Sequence, residues 1–166
     1  YTPSTCGTGN ILTLSIPVTD DSSGVDKVYA EYWIGTGSKQ NVSMSYSSTS
    51  QTYNVSVSMY QYSLDPLYYI FHAVDMVGNW NETLKKMVTI FDDDPPTFMV
   101  DLTRDKGTTG DPFIFNVSIA DNIGVMSVTV DYWYPDGPIN RVNATGPFWY
   151  TCSINLSLTE TEMNYT

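Results

Sequence analysis

Apolar and polar residues alternate with a period of two along most of the chain. Leu12, Leu14, Ile16 and Val18 are separated by polar residues and by Pro17. Alternate residues of a strand point to opposite faces, so this pattern predicts a half-buried strand, and Pro17, which donates no ladder hydrogen bond, predicts a sheet edge. The period recurs in Val28, Ala30 and Tyr32, in Val42, Met44 and Tyr46, and in Tyr53, Val55, Val57 and Met59. Tyr68 to Val74 and Leu84 to Ile90 complete the set. Turn-forming residues lie between the runs: Asp20 to Gly24, Gly35 to Ser38, Ser47 to Ser50, Asp65-Pro66 and Val77-Gly78-Asn79. Six or seven short strands and no convincing helix predict an antiparallel β-sandwich.

The pattern then repeats. Gly24-Val25-Asp26-Lys27-Val28-Tyr29-Ala30-Glu31-Tyr32-Trp33 returns as Gly124-Val125-Met126-Ser127-Val128-Thr129-Val130-Asp131-Tyr132-Trp133, with five of ten positions identical. Upstream, Leu12, Leu14, Ile16, Val18 and Asp20 align with Phe113, Phe115, Val117, Ile119 and Asp121 after a one-residue slip. Two homologous domains follow from this. The boundaries are residues 1–91 for the first domain with its lead-in, 92–108 for an acidic linker around Pro95-Pro96, and 109–166 for the second. The match runs out near Tyr68, so the second domain lacks the counterpart of the last hairpin.

Composition narrows the class. Hydrophobic residues make up 42% of the chain and aromatics 14%, enough for packed cores. Seven Lys and Arg against eighteen Asp and Glu give a net charge of −11, which repels phosphate backbones and excludes nucleic acid as a natural partner. No apolar run is long enough to span a bilayer as a helix.

Seven Asn-X-Ser/Thr sequons occur, at Asn41, Asn54, Asn81, Asn116, Asn143, Asn155 and Asn164. Some arise by chance in a chain this rich in Asn, Ser and Thr. Asn41, Asn54, Asn116 and Asn155, however, occupy the polar phase of alternating strands, so their side chains are expected to face solvent and to accept N-linked glycans without disturbing the core. Glycosylation implies export.

The order of these motifs resembles a known family. An alternating strand, Asp20-Asp21 with Gly24-Val25, Ala73-Val74-Asp75 with Gly78-Asn79-Trp80, and Val88 to Ile90 followed by Asp94-Pro95-Pro96 are similar to the immunoglobulin-like (FN3-like) repeats of archaeal and bacterial cell-surface proteins. The resemblance implies an all-β chain of two tandem antiparallel immunoglobulin-like β-sandwiches, the second lacking its last strands. It also implies an extracellular structural role in a filament, sheath, stalk or S-layer-like coat.

Catalysis is not expected. The single histidine, His72, sits in a Tyr-rich strand and is read as structural, and adjacent acids such as Asp20 and Asp21 lack the opposed geometry of glycoside hydrolysis. No cofactor is required. A hard cation is a candidate: Asp20 and Asp21 after the first strand and Asp92, Asp93 and Asp94 after the last are placed at one pole, where an oxygen cluster would suit Ca²⁺. The competing reading is a solvated acidic linker. Tyr29, Trp33 and Trp133 fall in the outward phase and form a candidate binding or interface strip, unless a strand bend turns the tryptophans inward. Cys6 and Cys152 lie in different domains, which leaves a bond between neighbouring chains or two unpaired thiols.

The second domain cannot close its sandwich alone. Either it belongs to a longer array, or a neighbouring copy supplies strands. The expected partners are therefore copies of the chain itself, head-to-tail or strand-donating, together with N-linked glycans. Two other functions compete with the scaffold: an adhesive module whose exposed Tyr and Trp bind carbohydrate or protein, and an accessory module of a secreted hydrolase.

Overall fold

The computed structural model describes residues 1–159 and 161–166. The chain divides into two compact units, Tyr1–Asp93 and Asp94–Thr166. No helix occurs among the described residues.

The first unit contains β1 (Thr5–Gly7), β2 (Ile11–Ile16), β3 (Val25–Ile34), β4 (Gln40–Ser43), β5 (Ser45–Ser47), β6 (Thr52–Ser58), β7 (Leu67–Asp75), β8 (Trp80–Glu82) and β9 (Lys86–Phe91). One sheet runs β1-β9-β7-β3-β4 with β8 on the end of β7, and the other runs β2-β6-β5. β2 is an edge strand, and it ends at Ile16, one residue before Pro17. Leu12 and Leu14 of one sheet and Ala30, Leu67 and Val88 of the other are at most 1% exposed and form one core with Val28, Val57 and Phe71. The period of two thus becomes two inward-facing layers, and this strand order is that of an immunoglobulin-like sandwich.

Two features escape the period. β1 pairs in parallel with β9, setting Thr5 opposite Thr89 and Cys6 opposite Ile90. Just before it, the Ser15 N–H donates to the Thr2 hydroxyl at 2.9 Å, so the N-terminal segment touches one sheet and then crosses to the other. A strand of three residues is too short to show a period. Between β4 and β5 the chain also changes sheets, at the buried Met44.

The second unit contains β10 (Thr97–Asp101), β11 (Pro112–Ala120), β12 (Val128–Trp133), β13 (Asn140–Ala144), β14 (Trp149–Asn155) and β15 (Asn164–Tyr165). Its sheets run β10-β11-β14 and β13-β12-β15. Phe113, Phe115, Val130 and Ile154 form one buried cluster, and Ile119, Val128, Ala144 and Tyr150 form another.

The segment 92–108, expected to be a linker, contains β10, which pairs antiparallel with β11 through a register shift between Phe98 and Val100. All five β10 residues are exposed, so they carry no in-and-out pattern, and the strand is defined by its ladder alone. β15 sets Tyr165 opposite Tyr132 and Asn164 opposite Trp133. β7 sets Tyr69 opposite Tyr32 and Tyr68 opposite Trp33. β15 therefore pairs with β12 in the register that the start of β7 takes on β3. Among the described residues the second unit has no counterpart of β9.

Candidate functional site

The outer face of the larger sheet in the first unit carries the aromatic strip. Inward Val28 and Ala30 leave Tyr29, Glu31 and Trp33 on the opposite face of β3, where they meet the outward residues of β7. Tyr29 stacks on His72 with ring centroids 4.7 Å apart and planes at 10°. Trp33 stacks on Tyr68 at 5.6 Å. Lys39 Nζ lies 4.8 Å from the Trp33 ring centroid and Lys85 Nζ 5.1 Å from that of Tyr68, positions suited to cation–π attraction. The expected exposed tryptophan is thus on the outer face, half-buried under its own neighbours.

His72 is held structurally. Besides the Tyr29 ring, its Nδ1 lies 3.3 Å from a Glu82 carboxylate oxygen, and its Nε2 is buried without a hydrogen-bond partner. His72 and Glu82 line a groove of about 380 Å³ at the end of β7, together with Asp20, Asp75 and Trp80.

The acidic residues do not converge as expected. Asp93 accepts a hydrogen bond from Asn10 Nδ2 at 2.8 Å, beside the start of β2. Asp20 lies past the other end of the same strand, so roughly 20 Å of strand separates the two. Asp94 belongs to the second unit, where Asn122 Nδ2 donates to it at 3.1 Å. Among the described residues no group of three or more His, Cys, Asp or Glu is placed to hold a metal ion. Asp20 and Asp93 thus flank opposite ends of β2, because a strand sends its two flanking loops to opposite ends of a sandwich.

Asp20 instead organises its own loop. Its Oδ1 accepts the Gly24 N–H at 2.7 Å, the Ser23 N–H at 2.7 Å and the Ser22 N–H at 3.1 Å. Those donors, Gly24 first, hold its carboxyl below the ordinary value. Asp75 plays the same part in the turn after β7, accepting the N–H groups of Val77 and Asn79 and the Asn79 amide. Desolvation pulls the Asp75 pKa up, but the hydrogen bonds from Asn79, Ser23 and Val77 outweigh it and leave it lowered. Gly24 (φ 84°) and Gly78 (φ 92°) supply the left-handed backbone that these turns need. The Asp-then-Gly spacing is therefore a turn device in which a carboxylate satisfies loop N–H groups. The repeat had already displayed it, since Asp121 accepts the Ile123 and Gly124 N–H groups in the second unit.

Sequon asparagines fall into two groups. Asn41, Asn81, Asn143, Asn155 and Asn164 are exposed. Asn54 is half-buried, its amide donating to the Thr52 carbonyl and its Oδ1 accepting from the Thr52 hydroxyl. Asn116 differs from the expectation of a wet side chain: it is half-buried, with an Oδ1 that is buried and unpartnered. The segment after β10 covers it, since Leu102 N–H donates to the Asn116 carbonyl and Asn116 N–H to the Thr103 hydroxyl.

Both cysteines are free. Burial pushes the Cys6 thiol above its ordinary pKa, with Asp93 adding to it, and burial alone raises Cys152. Such thiols are poorly nucleophilic near neutrality.

Neither a protein-family model nor a curated protein matches this sequence. Among solved structures the chain is similar to the crystal structure of chicken CNTN1 FN1–FN3 domains, with 12% identity and a TM-score of 0.41. The likeness covers 99% of this chain and 56% of that one, so the chain spans little more than half of that structure.

Proposed function

We propose that the chain is an extracellular, non-catalytic structural segment: tandem immunoglobulin-like sandwiches of a surface filament, sheath, stalk or coat, N-glycosylated on their outer faces. The observation that carries this reading is the alternation, in strands such as β4, β13 and β14, of an inward apolar phase with an outer phase that bears sequons. Val42 and Asn41, or Ile154 and Asn155, are neighbours that point opposite ways, and Asn41, Asn143 and Asn155 stand on the outside. Glycopeptide mass spectrometry of the chain secreted from an N-glycosylating host tests it. Glycans at Asn41, Asn143 and Asn155 support export and display; a secreted chain bare at all three contradicts it.

A second reading rests on the aromatic strip. Tyr29, Trp33 and Tyr68, flanked by Lys39 and Lys85, form a surface suited to the apolar face of a sugar or to a partner protein. Trp33→Ala and Trp133→Ala separate the readings. Lost glycan binding with assembly intact favours recognition, and the reverse favours a contact between subunits.

A further inference from the structure

The outer face of the larger sheet in the first unit is laid out in rows. β7, β3 and β4 lie side by side, and their registers set His72, Tyr29 and Ser43 in one row and Ile70, Glu31 and Asn41 in the next. Tyr68 and Trp33 begin a third row. Asn41 is exposed and stands between the two aromatic rows, diagonal to Tyr29 at about 7–8 Å between Cα atoms.

The two aromatic rows differ in what covers them. Trp33 has the Tyr68 ring beside it and the Lys39 ammonium over it, and Lys39 is itself tied to Glu31 at 2.6 Å. Tyr29 is covered on one side only. It stacks on His72 with planes at 10° and centroids 4.7 Å apart, a separation equal to the spacing of neighbouring strands, about 4.7–4.9 Å. Both rings therefore stand upright on the sheet, with their faces turned across the strands. One face of Tyr29 meets His72; the other turns toward β4, where its ladder partner is Ser43, exposed and too small to cover a ring. β4 is the last strand of this sheet among the described residues.

Asn41-Val42-Ser43 is itself a sequon, so the uncovered ring face and the attachment point belong to the same three residues of β4 and their partners. One side of a pyranose ring presents C–H groups, which pack on the negative face of an aromatic ring. We propose that the Tyr29 face is the seat of the protein's own N-glycan, whose first sugars, attached at Asn41 Nδ2, lie over Ser43 and pack their C–H side on the ring. The attachment forms when Nδ2 displaces the phosphate of an activated sugar donor and gives up one proton. This inference rests on the glycosylation reading above and adds to it a place for the sugar. The second unit supplies the contrast. Asn143 stands opposite Thr129, the repeat counterpart of Tyr29, and diagonal to Asp131, so a glycan there has no ring among its ladder neighbours on β12.

The test uses the chain secreted from an N-glycosylating host, as itself and as Tyr29→Phe and Tyr29→Thr, each with and without Asn41→Gln. Glycopeptide mass spectrometry reads Asn41, and urea unfolding of the first unit and NMR of the sugar protons follow. The Asn41→Gln forms give each ring variant its own baseline, so any loss of stability from Tyr29→Thr itself cancels. The glycan at Asn41 is expected to lower the unfolding equilibrium constant about three- to tenfold in the chain and in Tyr29→Phe, and to leave Tyr29→Thr unchanged. Its C–H protons are expected to shift upfield under the ring current in the first two forms only, and those of the glycan at Asn143 in none. An Asn41 found bare overturns the glycosylation reading at this site together with the proposal. An occupied Asn41 whose stability gain and proton shifts are the same in all three ring forms overturns the proposal alone. Upfield shifts from added N-acetylglucosamine, with none from the attached sugars, also overturn it by assigning the face to an outside ligand.

Discussion

Trp33 of β3 stacks on Tyr68 of β7, directly opposite in the ladder, whereas its repeat counterpart Trp133 stands opposite Asn164. The same register therefore yields an aromatic pair in one unit and an indole beside a sequon in the other. A double-mutant cycle of Trp33→Ala with Tyr68→Ala, followed by urea unfolding, is expected to give a coupling of about 0.5–1.5 kcal/mol. The cycle of Trp133→Ala with Asn164→Ala is expected to give a coupling near zero.

Acid should loosen the loops of the first unit. Ser23 Oγ donates to Asp75 at 3.0 Å and also contacts Asp20 at 3.3 Å, so two carboxylates lowered in the folded state share one hydroxyl. A depressed folded pKa contributes stability that is present above the unfolded value of about 3.9 and is lost as pH falls through the folded value. The urea midpoint of the first unit is expected to fall below about pH 4 for this reason, and Asp20→Asn with Asp75→Asn to flatten that part of the profile.

Sequon occupancy should follow exposure. Asn41 and Asn143 are exposed, while Asn54 is hydrogen-bonded to Thr52 and Asn116 has a buried Oδ1. Site-resolved glycopeptide analysis is expected to find Asn41 and Asn143 more fully occupied than Asn54 and Asn116.

Core truncation should separate the two phases of β2. Leu14 is 0% exposed and Ile11 is 69% exposed. Leu14→Ala is expected to cost about 2–5 kcal/mol, and Ile11→Ala no more than about 0.5 kcal/mol, in chemical denaturation of the chain.

Calcium provides a test of the acidic loops. With Asp20 and Asp93 at opposite ends of β2, no shared site forms between them. Calorimetric titration with Ca²⁺ is expected to show no tight binding, and a chelator to leave the melting temperature unchanged.

Wherever a side chain's fate depended on its immediate neighbours, it could be read along the chain. Leu12 and Leu14 against Thr13, and Val28 and Ala30 against Tyr29, show in one dimension which face each strand buries, and the Gly-Val-Tyr-Trp repeat shows that the chain does this twice. Pro17 likewise falls where β2 stops, because a missing N–H is a local property.

β1, β10 and β15 could not be read in that way. They are short or exposed throughout, and they exist because a distant strand offers them a ladder. The acidic loops show the same limit: Asp20 and Asp93 look alike in sequence, and only the topology sends one to each end of β2.

Periodicity, repeat and turn chemistry are thus determined by the sequence itself, since each follows from spacing between near neighbours. Which loops meet and which asparagines stay wet were decided by the tertiary structure, because those depend on pairings between residues tens of positions apart.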